Sequence, residues 1–191
     1  DTQRRCIDDA FPVCPNQLNP YGSALSCACT DRKKIRIGGV VHGLKTDEFW
    51  DTVFAAAEQG AKDMGIDLIF DRFEQQESPE ILYRKMSAKI LSLCQGGVDG
   101  LFVSVPDEIV LDAVKACKEL RIPVMSINAG LEQSAEYVIH HVGQMENGAG
   151  YQAGKQLASM AKHPMKKGYC LRHCPTVACK DRCISFGEAM S

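Results

Sequence analysis

The 191-residue chain has no apolar stretch long enough to cross a bilayer, which argues against direct membrane insertion. It also lacks a charge excess. Twenty-two basic and 24 acidic residues leave a formal charge of −2, so there is no electrostatic case for nucleic acid or an anionic membrane as a partner. Catalytic signatures are missing as well. No Gly-x-Ser-x-Gly elbow occurs. The glycines of 148–154 have the wrong spacing for a phosphate loop, and Gln156 stands where that loop needs a hydroxyl. His140-His141 has no third ligand at useful spacing, and no nucleophile–base pair stands out. The reading is a non-catalytic chain with no implied cofactor or metal. Position 1 is Asp and no signal-peptide pattern follows it, so a processed chain or a fragment is expected. Tryptophan occurs once, at position 50.

Cysteine, by contrast, is abundant: ten residues, unevenly placed. Cys6, Cys14, Cys27 and Cys29 crowd one end, and Cys170, Cys174, Cys179 and Cys183 the other. Cysteines gathered in irregular segments point to disulfide staples in an oxidising compartment, hence an extracellular or periplasmic location. The competing reading is a zinc site drawn from Cys170, His173, Cys174, Cys179 and Cys183, although the spacing fits no common finger. Disulfides are favoured; their pairing is not legible. Cys94 and Cys117 fall on predicted inner faces of helices and read as small core residues.

Three segments follow from the pattern. Residues 1–32 show no period and carry Pro, Gly and Asn turns, the mark of a cysteine-rich extension. Residues 33–163 alternate apolar strands with amphipathic helices. Strands are predicted at 35–41, 66–70, 98–105, 122–128 and 137–143, with helices from 48 to 64, from Ser78-Pro79-Glu80 to Gly96-Gly97, from Pro106-Asp107, and over 147–162. That alternation predicts an α/β, Rossmann-like, doubly wound parallel sheet with helices on both faces. Helix 48–64 places Trp50, Val53, Phe54, Ala57, Ala61 and Met64 inward, with Thr46 or Asp47 as cap and Gly65 as stop. Residues 164–191 begin another unit, with a strand at 169–173 and a short helix at 180–190.

The organising stretch is 34–65, a strand, a polar turn and a helix opening with Phe49-Trp50. Ligands of open α/β sheets bind at the carboxyl ends of such strands. With its ordered companions "VDGLFVSVPD", "ELRIPVMSINAG" and "HVGQMENGAGYQAGKQLA", this stretch resembles the type I periplasmic binding proteins, most of all the sugar-binding subunits of ABC transporters. The resemblance covers about 33–191 and implies a periplasmic binding protein-like fold, represented by a first lobe plus the start of a second. It implies a sugar or similar small polar ligand held between lobes, with a membrane transporter or receptor as partner. The alternatives are a receptor ectodomain, or a degenerate lobe serving as an interaction protein.

Carried over by position, the resemblance implies ligand contacts from His42, Asp47, Phe49, Trp50, Asp107, Asn128 and Gln144 in the first lobe. One member of the Phe49-Trp50 pair is expected to be core. In the second lobe, His173 and Arg182 are implied, Arg182 through its fork of donors. The turn after His173 departs from the family, with Cys174, Thr176 and Cys179 in place of the expected residue types. The expectation is about half a site, with weak affinity of its own.

Overall fold

The computed structural model describes residues 33–70, 72–74, 77–161, 168–172 and 176–190. The chain divides into two units, Asp1–Lys33 and Lys34–Ser191. The extension 1–32 lies outside the described residues, and the architecture here is that of the second unit.

Five strands form one parallel sheet: β1 (Arg36–Val40), β2 (Asp67–Phe70), β3 (Gly100–Val103), β4 (Val124–Ile127) and β5 (His140–Val142), in the order β2-β1-β3-β4-β5. Between them run α1 (Glu48–Met64), α2 (Pro79–Gln95), α3 (Glu108–Glu119) and the single turn α4 (Leu131–Ser134); α5 (Glu146–Met160) and α6 (Val177–Ala189) follow. The doubly wound parallel sheet is as expected.

Helix ends follow local chemistry. The Asp47 carboxylate accepts from the Phe49 amide at 3.1 Å, and Gly65 stops α1 at φ 66°. Asp107 caps α3 the same way, accepting from Ile109 at 3.0 Å. Pro79 opens α2 where its missing N–H costs nothing.

Both faces of the sheet are covered. On one, Met86, Ile90 and Leu93 of α2 and Val110, Ala113 and Val114 of α3 pack on Val40, Leu101, Val103 and Val124. On the other, α1 brings Trp50, Val53, Phe54 and Ala57 against Val41, Leu68, Phe70 and Phe102. Met64 is a correction: it closes the last turn of α1 beyond the sheet and is 74% exposed.

Cys94 and Cys117 are a second correction. They are buried as expected, but they are joined in a disulfide that ties α2 to α3. Sequence periodicity places both on inner faces yet cannot show that the two faces meet. Cys170 and Cys183 form another disulfide, in line with stapling at this end of the chain. His173 and Cys174 lie outside the described residues.

The α5–α6 pair stands apart in kind. It is built on close approach: a Cβ on Gly150 would strike the Arg182 carbonyl, and one on Gly154 would come within 2.7 Å of the Phe186 carbonyl. The strand predicted at 169–173 does not form over its described part, 169–172. Tyr169 and Leu171 are 81% and 94% exposed there, and a strand has no standing without a neighbour to take its backbone hydrogen bonds. Helix α6 begins at Val177, three residues before the expected start, because the Thr176 hydroxyl caps it by accepting from Cys179 at 3.4 Å.

Candidate functional site

In this strand order the connections reverse direction between β1 and β3, opening a crevice at their carboxyl ends. The residues leaving these two strands meet across it. The Ser104 hydroxyl, fully buried, accepts from the His42 backbone amide at 2.9 Å and shares a 2.8 Å hydrogen bond with His42 Nδ1. The bond fixes the His42 ring, which lies edge-on to Trp50 with centroids 5.2 Å apart. Gly43 makes this packing possible: any Cβ there would collide with the Trp50 indole. The loop is pinned on its far side too, by Lys45 N–H donating to the Phe73 carbonyl at 2.9 Å.

The same device recurs two strands away. The buried Ser126 hydroxyl in β4 pairs with His141 Nδ1 of β5 at 2.8 Å. The other nitrogen, Nε2, is buried with no hydrogen-bond partner among the described residues. Burial holds the His141 pKa below its ordinary value; Glu132 and Glu146 pull the other way, and His140 adds to the lowering. The ring is therefore neutral at pH 7.

Each expected residue can now be placed. Phe49 is 57% exposed at the rim of the crevice, whereas Trp50 is 2% exposed and belongs to the core. The sequence leaves open which of the pair is core; the fold assigns it to Trp50, whose ring is enclosed by Val41, Phe70, His42 and Phe49. Trp50 thus packs in the core and supports the loop. Asp47 and Asp107 stand at the carboxyl ends of β1 and β3, each spending Oδ1 on its cap. Asn128 follows β4 in a left-handed conformation, φ 64°, which Asn tolerates better than most residues. Its amide donates to the Val142 carbonyl at 2.9 Å, tying the ends of β4 and β5 together. Gln144 lies exposed just past β5, its Nε2 3.5 Å from Glu146 Oε2. His173 lies outside the described residues.

Arg182 comes to the same edge from α6. The Val177 amide at the head of that helix donates to the Pro106 carbonyl at 3.4 Å, just before Asp107. The Arg182 fork is engaged by Glu146: Nε donates to Oε2, and Nη2 donates to Oε1 at 3.0 Å. Glu146 is 3% exposed.

Ser104, Ser126 and Glu146 escaped the sequence reading, and His141 entered it only as a candidate metal ligand. A polar residue closing an apolar strand, as in the run Phe102-Val103-Ser104, is the signal for the first; Ser126 lies inside β4, between Met125 and Ile127. Among the described residues, two concavities lie elsewhere. One, about 310 Å³, opens between α1 and β2 beside Phe54 and Ala61. The other, about 360 Å³, lies at the opposite end of the sheet beside Pro123 and Tyr137. Neither includes the residues of the β1–β3 crevice.

Comparison with known proteins bears on the fold. The family described as "Periplasmic binding protein domain" matches residues 37–174. Among solved structures, a carbohydrate transporter from Acidothermus cellulolyticus in complex with myo-inositol aligns at 24% identity and a TM-score of 0.69, over 83% of this chain and 53% of that one. A glucose-galactose binding protein from Geobacillus stearothermophilus aligns at 20% identity and a TM-score of 0.70, over 83% and 54%. An ABC transporter solute binding protein from Agrobacterium vitis with bound D-fucose aligns at 20% identity and a TM-score of 0.62, over 81% and 53%. The chain therefore spans about half the length of the solved structures it matches. It matches no curated protein sequence.

Proposed function

The chain belongs to the periplasmic binding protein domain family, and from that premise we propose that it is a non-catalytic binder of a sugar or similar small polar ligand, acting in solute uptake. The observation that carries the reading is the make-up of the carboxyl edge of the sheet: an exposed aromatic, Phe49, and the polar residues His42, Asp47, Asp107, Asn128 and Gln144 all lie past the carboxyl ends of the strands. An aromatic face takes the apolar face of a pyranose, and short polar side chains pair with its hydroxyls. The ligands held by two of the similar structures, myo-inositol and D-fucose, are of this chemistry.

The His42–Ser104 contact has the spacing of a base and a nucleophile but not the exposure. Ser104 is fully buried, and its oxygen also accepts the His42 amide. It positions a loop instead of meeting a substrate. A membrane transporter is the partner this reading implies. Two disulfides support an oxidising compartment, extracellular or periplasmic. Among the described residues no helix is long and apolar enough to cross a membrane.

The test is a thermal-shift and calorimetric titration of the full chain with neutral monosaccharides and inositols. Ligand at 100 times its Kd should add about 2.7 kcal/mol of stability. Phe49→Ala should weaken binding by about 1 kcal/mol, the lost aromatic contact, with the fold intact. No response to any sugar overturns the proposal.

A further inference from the structure

The reading of the crevice as a sugar site leaves its charge preference open, and one buried ion pair bears on it. Glu146 opens α5 four residues after the end of β5, so it sits at the carboxyl edge of the sheet. Its side chain is 4% exposed and that of Arg182 is 38% exposed. The two Glu146 oxygens occupy Nε and Nη2 of the guanidinium, the arrangement that a ligand carboxylate would otherwise seek.

Among the described residues, charge along the rest of the edge is balanced or negative. Lys45 faces Glu74 at 2.6 Å, and Arg72 faces Asp51 at 2.6 Å. Asp47 and Asp107 add carboxylates at the ends of β1 and β3. An anionic ligand entering here meets like charge. To claim Arg182 it must also strip a buried carboxylate of its partner, which is costly in a poorly hydrated setting. A neutral hydroxyl meets neither obstacle, since it can add to the network without displacing Glu146.

We propose that Glu146 sets the charge selectivity of the cleft: by filling the Arg182 fork it makes the site take neutral, hydroxyl-rich ligands and refuse sugar acids. This rests on the reading of the edge as a sugar site. It makes Glu146 a specificity-determining residue, acting through Arg182.

The experiment compares D-galactose with D-galacturonate, which differ only by oxidation at C6, by calorimetric titration of the full chain. The wild type should bind the neutral sugar at least about tenfold more tightly than the acid. Glu146→Gln removes the carboxylate charge paired with the guanidinium and should shift that ratio about tenfold toward the acid. Arg182→Gln leaves Glu146 uncompensated and should shift it the opposite way. Opposite shifts support the proposal. Equal binding of the two sugars by the wild type overturns it, as does either variant leaving the ratio unmoved. If Glu146→Gln does not fold, the wild-type ratio and the Arg182→Gln shift decide. A folded wild type that binds no neutral sugar overturns the earlier proposal of sugar binding, an outcome distinct from loss of charge discrimination alone.

Discussion

The α2–α3 face of the sheet and the α5–α6 pair are assembled by different forces. Beneath α2 and α3 the contacts are large and apolar: Met86, Ile90, Val103, Val110 and Val114 are all fully buried. Burial of this kind is non-directional and scales with area, at roughly 25 cal/mol per Å². Between α5 and α6 the buried residues are Glu146, Gly150, Gly154, Ala178, Cys179 and Ser185. They are small or polar, whereas Tyr151, Leu157, Met160 and Ile184 are exposed. Here the hold comes from backbone proximity, the Arg182–Glu146 pair, and Ser185 donating to Asn147 Oδ1 at 2.9 Å. The first region tolerates change of shape at constant volume. The second depends on direction and fit, so small alterations there are felt as geometry.

Substitutions should separate the two. Ile90→Ala should cost the most, about 2–5 kcal/mol by chemical denaturation, because it leaves a cavity where α2 meets the sheet. Replacing Cys94 and Cys117 together by Ala should cost about 3 kcal/mol, the loop-closure term for a cross-link of this span, read from the same denaturation curves. Gly150→Ala should cost about 1–3 kcal/mol, since its methyl must push α6 away. Hydrogen exchange sharpens this case. Protection should fall in α5 and α6 and persist in α2 and α3; an equal fall in both regions would break the comparison.

The smallest effect belongs to acid. The pKa of His141 is held down by burial in the folded chain, so the unfolded chain binds that proton more readily. Its contribution is complete above the ordinary His value of about 6.5 and is lost as pH falls below it toward the depressed folded value. The thermal midpoint should drop between about pH 7 and pH 5, and His141→Gln should flatten that slope.

The elements most legible in the sequence were those whose ends are written in local chemistry. Asp47 and Gly65 bound α1 at the expected residues, and Pro79 with Gly96 bounds α2, because caps act over three or four positions. Strands were expected too long: β3 is Gly100–Val103 where 98–105 had been predicted, because a strand lasts only as long as its neighbour's register. Contacts between distant elements left no local trace. Nothing near Cys94 announces Cys117, and nothing near Glu146 announces Arg182, 36 residues on. Phe49 and Trp50 show the same limit at the site. Adjacent on a helix, they point in different directions, and the packing of distant residues such as Phe70, with Gly43 against the indole, decides which of them meets solvent.

The Cys94–Cys117 bond encloses more than two helices. It closes a covalent ring of chain, and that ring contains all of β3, the strand hydrogen-bonded to β1 on one side and β4 on the other. Ser104, Pro106 and Asp107, the crevice residues that leave β3, ride on the same ring. A single cut anywhere between the two cysteines would open the ring without parting the polypeptide. The severed ends would stay attached to the same molecule.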